Sequence, residues 1–195
     1  MHISDFNPLL LTSLGVLTAA FTLGAVDGVY FHLQRFRLFA QADSRYEHCL
    51  HTLRALLALP TLILLYLVEP TGAPLYLAAA AVAADQVLLV LDLVAERTSR
   101  IKMGGVPHAE YMIHVVANGL HAVAVALALA SLPAAAWTAA SGWQVASLPA
   151  SARVLVAVLV VLAGITSAQH LWLLRPPRAQ SVQVTAHDTF VRERS

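Results

Sequence analysis

Apolar positions along this chain neither alternate nor fall into short amphipathic stripes. They run on almost unbroken, five times over, at about 8–33, 47–68, 74–96, 108–132 and 152–174. A bilayer core roughly 30 Å thick takes about 20 helical residues to cross, so each run is predicted to be a transmembrane helix. The expected fold is an all-α integral membrane protein with five transmembrane helices in one domain over residues 1–175. A polar cytoplasmic tail is expected over 176–195, with His187 and Asp188 as solvated tail residues.

The breaks between runs carry recognisable punctuation. Pro8 opens the first segment, and Asp43 or Ser44 can cap the second. EPTGAP, with two prolines and a glycine, reads as a turn between segments 2 and 3. Gly104 and Gly105 can stop the third helix, and Pro107 can occupy the first turn of the fourth. The connection before segment 5 holds Trp137 and Trp143 without a charge, which suits an outer-leaflet interface.

Composition agrees with a membrane protein: 58% of the 195 residues are hydrophobic and 12% are charged. Arg35, Arg37, Arg45, Arg97, Arg100, Lys102, Arg175, Arg178, Arg192 and Arg194 lie on the 1–2 and 3–4 connections and the tail, against Arg153 alone on the other side. The positive-inside rule therefore places the N-terminus outside and the C-terminus in the cytoplasm. With Asp5 the only early charged side chain and no basic leader, a cleaved signal peptide is not expected. Cys49 is the single cysteine, so no internal disulfide is expected. A formal charge of +1 offers no concentrated basic face for nucleic acid.

The polar residues inside the apolar runs change the picture most, because ionisable groups in a membrane are costly and mark function. Segment 2 opens with Glu47, His48 and His51, and Arg54 follows at helical spacing. Segment 3 carries Asp85, Asp92, Glu96 and Ser99 as one stripe toward its end. Segment 4 carries Glu110, His114, Asn118 and His121 on one face, with His108 in its first turn. Successive helices run antiparallel, so the groups at the helix ends, with Asp27 and His32 on segment 1 and His170 on segment 5, meet near one plane, while Asp85 and His121 lie deeper, His121 by roughly 10 Å relative to His114. Five residues separate Asp27 from His32, which puts them on different faces of an ideal α-helix; His2 is expected to be exposed. Tyr30 and Tyr111 are expected at the edge of the site.

A repeat sharpens this. Glu47-x-x-x-His51 opens segment 2 and Glu110-x-x-x-His114 opens segment 4, each preceded by a helix that ends in carboxylate or histidine. Two hairpins related by a pseudo-two-fold axis along the membrane normal would make a four-helix metal-binding bundle. The expected metal ligands are Glu47, His48, His51, Asp92, Glu96, Glu110 and His114. Asp27, His32, Arg54, Asp85, His108, Asn118, His121 and His170 are expected in the surrounding shell or on a proton path. Arg54 is read as a charge partner for Asp85 or Asp92, and Cys49 as packing.

Mixed imidazole and carboxylate donors suit iron, zinc or manganese, and four carboxylates can balance two divalent ions. Soluble di-iron bundles meet the same need with inward-facing glutamates and Glu-x-x-His pairs. In gathering histidines at one end of its helices the chain also resembles the membrane desaturases and hydroxylases, although their His-x-x-His-His boxes are absent and His48-x-x-His51 is the only fragment present. The leading expectation is a di-iron oxidoreductase or hydroxylase acting on a lipid-soluble substrate, with an electron donor or partner subunit. A b-type haem protein using His51, His114, His121 or His170, and a metal-ion or proton transporter, are the alternatives. Glu96-x-x-x-Arg100 and His114-x-x-x-Asn118 also resemble parts of the prenyl-protein (CAAX) protease pattern, without its paired glutamate.

Overall fold

The computed structural model describes residues 6–175; His2, His187 and Asp188 lie outside the described residues. Five long helices make up most of it: α1 (Pro8–Val26), α2 (Arg45–Leu62), α3 (Ala73–Ser99), α4 (His108–Ala130) and α5 (Ala150–Leu173). With the turns that extend α1 and α2, all five are long and apolar enough to cross a membrane, the fold of a multi-pass membrane protein.

The ends of these helices follow from local chemistry. Asn7 caps α1, its Oδ1 accepting from the amides of Leu9 and Leu10, and Pro8 fills a position whose missing N–H costs nothing. Gly104 and Gly105 both take positive φ, so the chain reverses between α3 and α4. Pro107 sits just before α4 rather than inside its first turn. Ser44 precedes α2 without a capping hydrogen bond, and Asp43 pairs instead with Lys102.

Two departures from regular α-helix interrupt the spans, and the first bears on the site. After Val26 the first helix widens into a π-helix over Asp27–Arg35, with i→i+5 bonding carried through to Phe36 N–H donating to the Phe31 carbonyl at 2.9 Å. The second helix does the same over Ile63–Leu67, shortly after Pro60 has removed a backbone donor from α2.

At the far end the all-α expectation needs a correction. EPTGAP is more than a turn: β1 (Val68–Thr71) pairs antiparallel with β2 (Gly142–Val145), Glu69 opposite Gln144 and Pro70 opposite Trp143. The ribbon gives partners to backbone groups that a coil in the interface would leave to water. Gly72 closes it at φ 58°, where an added Cβ would come within 2.8 Å of the Ala139 carbonyl oxygen. Gly72→Ala is therefore expected to lower the unfolding temperature in detergent, at a cost of about 1–3 kcal/mol, with the site end unchanged.

Packing joins α1 to α4 along their length, and α2 to both α3 and α5. The core of the half that carries the ribbon is apolar: Leu10, Leu14 and Leu17 of α1 meet Ala124, Val125 and Ala128 of α4. Small residues on α4 permit the close approach. Ser13 bridges the two, bonded to the Ala124 carbonyl at 2.7 Å and to the Tyr66 hydroxyl at 2.6 Å. Tight apolar packing at one end thus leaves the polar side chains collected at the other.

Candidate metal centre

Six carboxylates are buried, Asp27, Glu47, Asp92, Glu96 and Glu110 toward the end of the bundle opposite the ribbon and Asp85 nearer its middle. All but Asp85, which sits midway along α3, lie in the last or first turns of a helix or the turn beyond it, so the packing of α1 on α4 and of α2 on α3 brings them together.

On the α1/α4 side, His114 Nε2 lies 2.7 Å from Asp27 Oδ2, and His32 Nε2 lies 3.4 Å from Glu110 Oε1 and 3.5 Å from Asp27 Oδ2. Each of Asp27, His32, Glu110 and His114 offers a ligand atom within 4.8 Å of the others. The different-face expectation for His32 is overturned here. In a π-helix residues five apart share a face, so the widened turn swings His32 inward beside Asp27.

On the α2/α3 side, His51 Nε2 lies 3.4 Å from Asp92 Oδ1 and 3.8 Å from Glu47 Oε1. Asp27 with His114 on one side thus matches Asp92 with His51 on the other. Glu96 reaches across to His114 Nδ1 at 3.2 Å. The His32 and His51 rings stand 4.5 Å apart, edge to face, at the junction of the two sides.

Arg100, expected among the positive-inside charges and in the Glu96-x-x-x-Arg100 fragment but not among the site residues, is fully buried between the halves. Its Nη2 lies 2.6 Å from Glu110 Oε1 and 3.2 Å from Glu47 Oε1, and Phe36 covers the guanidinium at 5.1 Å. The Gly105 amide bonds the Arg100 carbonyl, so the glycine turn holds the backbone while the side chain folds back. The available signal was Arg100 standing four residues after Glu96, on the stripe's face. Ser99, on that same stripe, donates to Glu47 Oε2.

Deeper in the bundle, Arg54 Nε bonds Asp85 Oδ1 at 3.0 Å, its Nη2 bonds Asn118 Oδ1 at 3.0 Å, and its Nη1 lies 3.7 Å from Asp92. The charge-partner reading of Arg54 agrees with this geometry. His121 Nδ1 approaches Asp85 Oδ2 at 3.5 Å. His48 is buried but turned from the carboxylates, stacked on His170 at 5.0 Å. His108, Tyr30 and Tyr111 are exposed, outside the cluster, and Cys49 is a half-buried free thiol.

Buried polar atoms in folded proteins almost always have partners. Here Asp27 Oδ1, His32 Nε2, Glu47 Oε1, His51 Nε2, Asp92 Oδ1, Glu96 Oε1 and Glu110 Oε2 are buried without a hydrogen bond. Carboxylates also outnumber the arginines: six are buried against Arg54 and Arg100, which leaves up to four negative charges for protons on the imidazoles or bound cations to balance. Uncompensated buried charge of that size is strongly destabilising. Hard oxygen donors beside imidazole nitrogens, unpartnered and convergent, fit a divalent metal.

No protein-family model, curated protein or solved structure matches the chain.

Proposed function

We propose that this chain is a membrane-embedded metalloprotein whose two matched hairpins form a pseudo-two-fold bundle around a pair of divalent ions, with iron the leading candidate. The observation that carries the reading is the set of buried carboxylate and imidazole atoms without hydrogen bonds converging from four helices, with an excess of carboxylates over arginines that two divalent ions would balance. Asp27, His32, Glu110 and His114 would hold one position, and Glu47, His51 and Asp92 would contribute to the other. Glu96, bonded to a ring nitrogen of His114, would fix that imidazole's tautomer and orientation.

Iron held there would supply oxygen-dependent oxidation. A lipid-soluble substrate is favoured by a cavity of about 340 Å³ that reaches Glu47 between Tyr46 of α2 and Leu91, Val94 and Ala95 of α3. Three of those walls, Tyr46, Leu91 and Val94, are exposed on the helix surface, so an apolar molecule could approach from the bilayer. The Arg54–Asp85–His121 chain leads away from Asp92 toward mid-bundle and offers a route for protons. An apolar plug of Leu10, Leu14, Leu62, Leu65 and Tyr66 beyond it favours a retained cofactor over passage of ions through the bundle. By the distribution of Arg and Lys, the site end faces the cytoplasm.

Protein extracted in mild detergent without chelator is expected to carry roughly one to two equivalents of divalent metal, most of it iron, by elemental analysis. Less than half an equivalent in a monodisperse, helical preparation would overturn the proposal. A Soret band in the absorption spectrum would replace it with the haem reading.

A further inference from the structure

Exchanging the hairpins carries Asp27 onto Asp92, His32 onto Glu96, Glu110 onto Glu47 and His114 onto His51. The correspondence breaks in three places. Where α1 has an imidazole, His32, α3 has a carboxylate, Glu96, and that carboxylate is spent on the opposite half, against His114 Nδ1. Arg35 stands eight residues after Asp27 as Arg100 stands eight after Asp92, but it is exposed beside Phe31 and Phe36 and does not reach the buried carboxylates. The two glutamates are also differently engaged. Glu110 gives Oε1 to Arg100 and keeps Oε2 buried and unpartnered, whereas Glu47 has Oε2 bonded to Ser99 and Oε1 facing Arg100 at 3.2 Å.

The α1/α4 half therefore assembles two imidazoles and two carboxylates of its own within 4.8 Å. The α2/α3 half reaches three mutually close ligand atoms only by borrowing His32. The fully buried Arg100 guanidinium, 2.6 Å from Glu110 and 3.2 Å from Glu47, repels a cation at either position, but Glu110 keeps Oε2 clear of it, whereas Glu47 has one oxygen bonded to Ser99 and the other facing Arg100.

Resting on the divalent-metal reading above, we propose that the two positions are unequal: the α1/α4 half is a high-affinity divalent-cation site, and the α2/α3 half is a weaker, exchangeable site whose affinity Arg100 sets. The chain then holds one ion permanently while the second comes and goes beside the cavity that reaches Glu47. Arg100 is a positioning residue, since it acts through Glu47 and Glu110 and does not itself ligate.

The test is a Mn²⁺ titration of the full chain, stripped by chelator in detergent and followed by the paramagnetic resonance signal of free Mn²⁺. Two phases are expected, the first equivalent binding at least about 10-fold tighter than the second, the scale by which outer-shell partners such as Glu96 alter metal affinity. Asp92→Asn should remove the second phase and spare the first, and His32→Ala, which takes a ligand from both groups, should weaken both. Arg100→Gln should draw the second phase toward the first, while Arg100→Lys keeps the wild-type separation. Two indistinguishable equivalents, or a loss of the first phase in Asp92→Asn, would overturn the inequality and leave the metal reading standing. Absence of any Mn²⁺ binding by helical, monodisperse protein would overturn both. If Arg100→Gln does not fold, Asp92→Asn decides the question alone.

Discussion

Glu110→Ala is expected to cause the largest combined loss of metal and stability of any single substitution at the site. Glu110 is fully buried, bonded to Arg100 at 2.6 Å and 3.4 Å from His32. Alanine removes a ligand oxygen and strands most of the charge of a guanidinium that cannot reach water. Breaking a buried ion pair from one side costs about 3–5 kcal/mol, so the unfolding temperature in detergent should fall sharply. Metal content should fall at least about 10-fold. Glu110→Gln separates the two effects, because the amide oxygen can still accept from Arg100 while the carboxylate charge is gone. Its fold should be retained and its metal largely lost. Wild-type metal content in the alanine variant would remove Glu110 from the ligand set.

The second large effect is expected at Arg54, the residue that ties three helices together below the site. Its guanidinium serves Asp85 on α3, Asn118 on α4 and, at longer range, Asp92. Arg54→Met keeps much of the aliphatic stem but leaves Asp85 buried, with His121 at 3.5 Å as its remaining charge partner. A destabilisation of about 3–5 kcal/mol should follow. Asp85→Asn in the same chain should recover a large part of it, because the uncompensated charge is then removed as well. A double-mutant cycle on unfolding in detergent measures the coupling. Strict additivity would mean that the pair, though 3.0 Å apart, does not hold the helices together.

The five spans were legible because their signal is local and strong: a run of about 20 apolar residues needs no knowledge of its neighbours. The clustering of polar groups was legible for a related reason. Antiparallel succession alone brings the end of one helix level with the start of the next, so Glu47, His51, Asp92, Glu110 and His114 could be assigned to one plane before any packing was known. The glycine stop before α4 and the role of Arg54 as a charge partner were readable from residue type and spacing.

Other features depended on geometry that residue spacing does not carry. His32 is five residues from Asp27, and α-helical periodicity sends it away; only the π-helical turn over Asp27–Arg35 brings it back. Arg100 sits in a run of basic loop residues and looks like one more interfacial charge. Its burial is settled by a reversal at Gly104 and Gly105 and by carboxylates arriving from α2 and α4. The ribbon joins segments more than 70 residues apart, and His48 and His170 face one another because α2 happens to pack on α5.

The sequence by itself determined that this protein has five membrane-length helices and a polar end where carboxylates and imidazoles gather, because hydropathy and helical periodicity act over a few turns. Which of those groups touch, which are left unpartnered and where the buried arginine goes were decided by the tertiary structure. Those outcomes depend on distances between helices far apart in the chain.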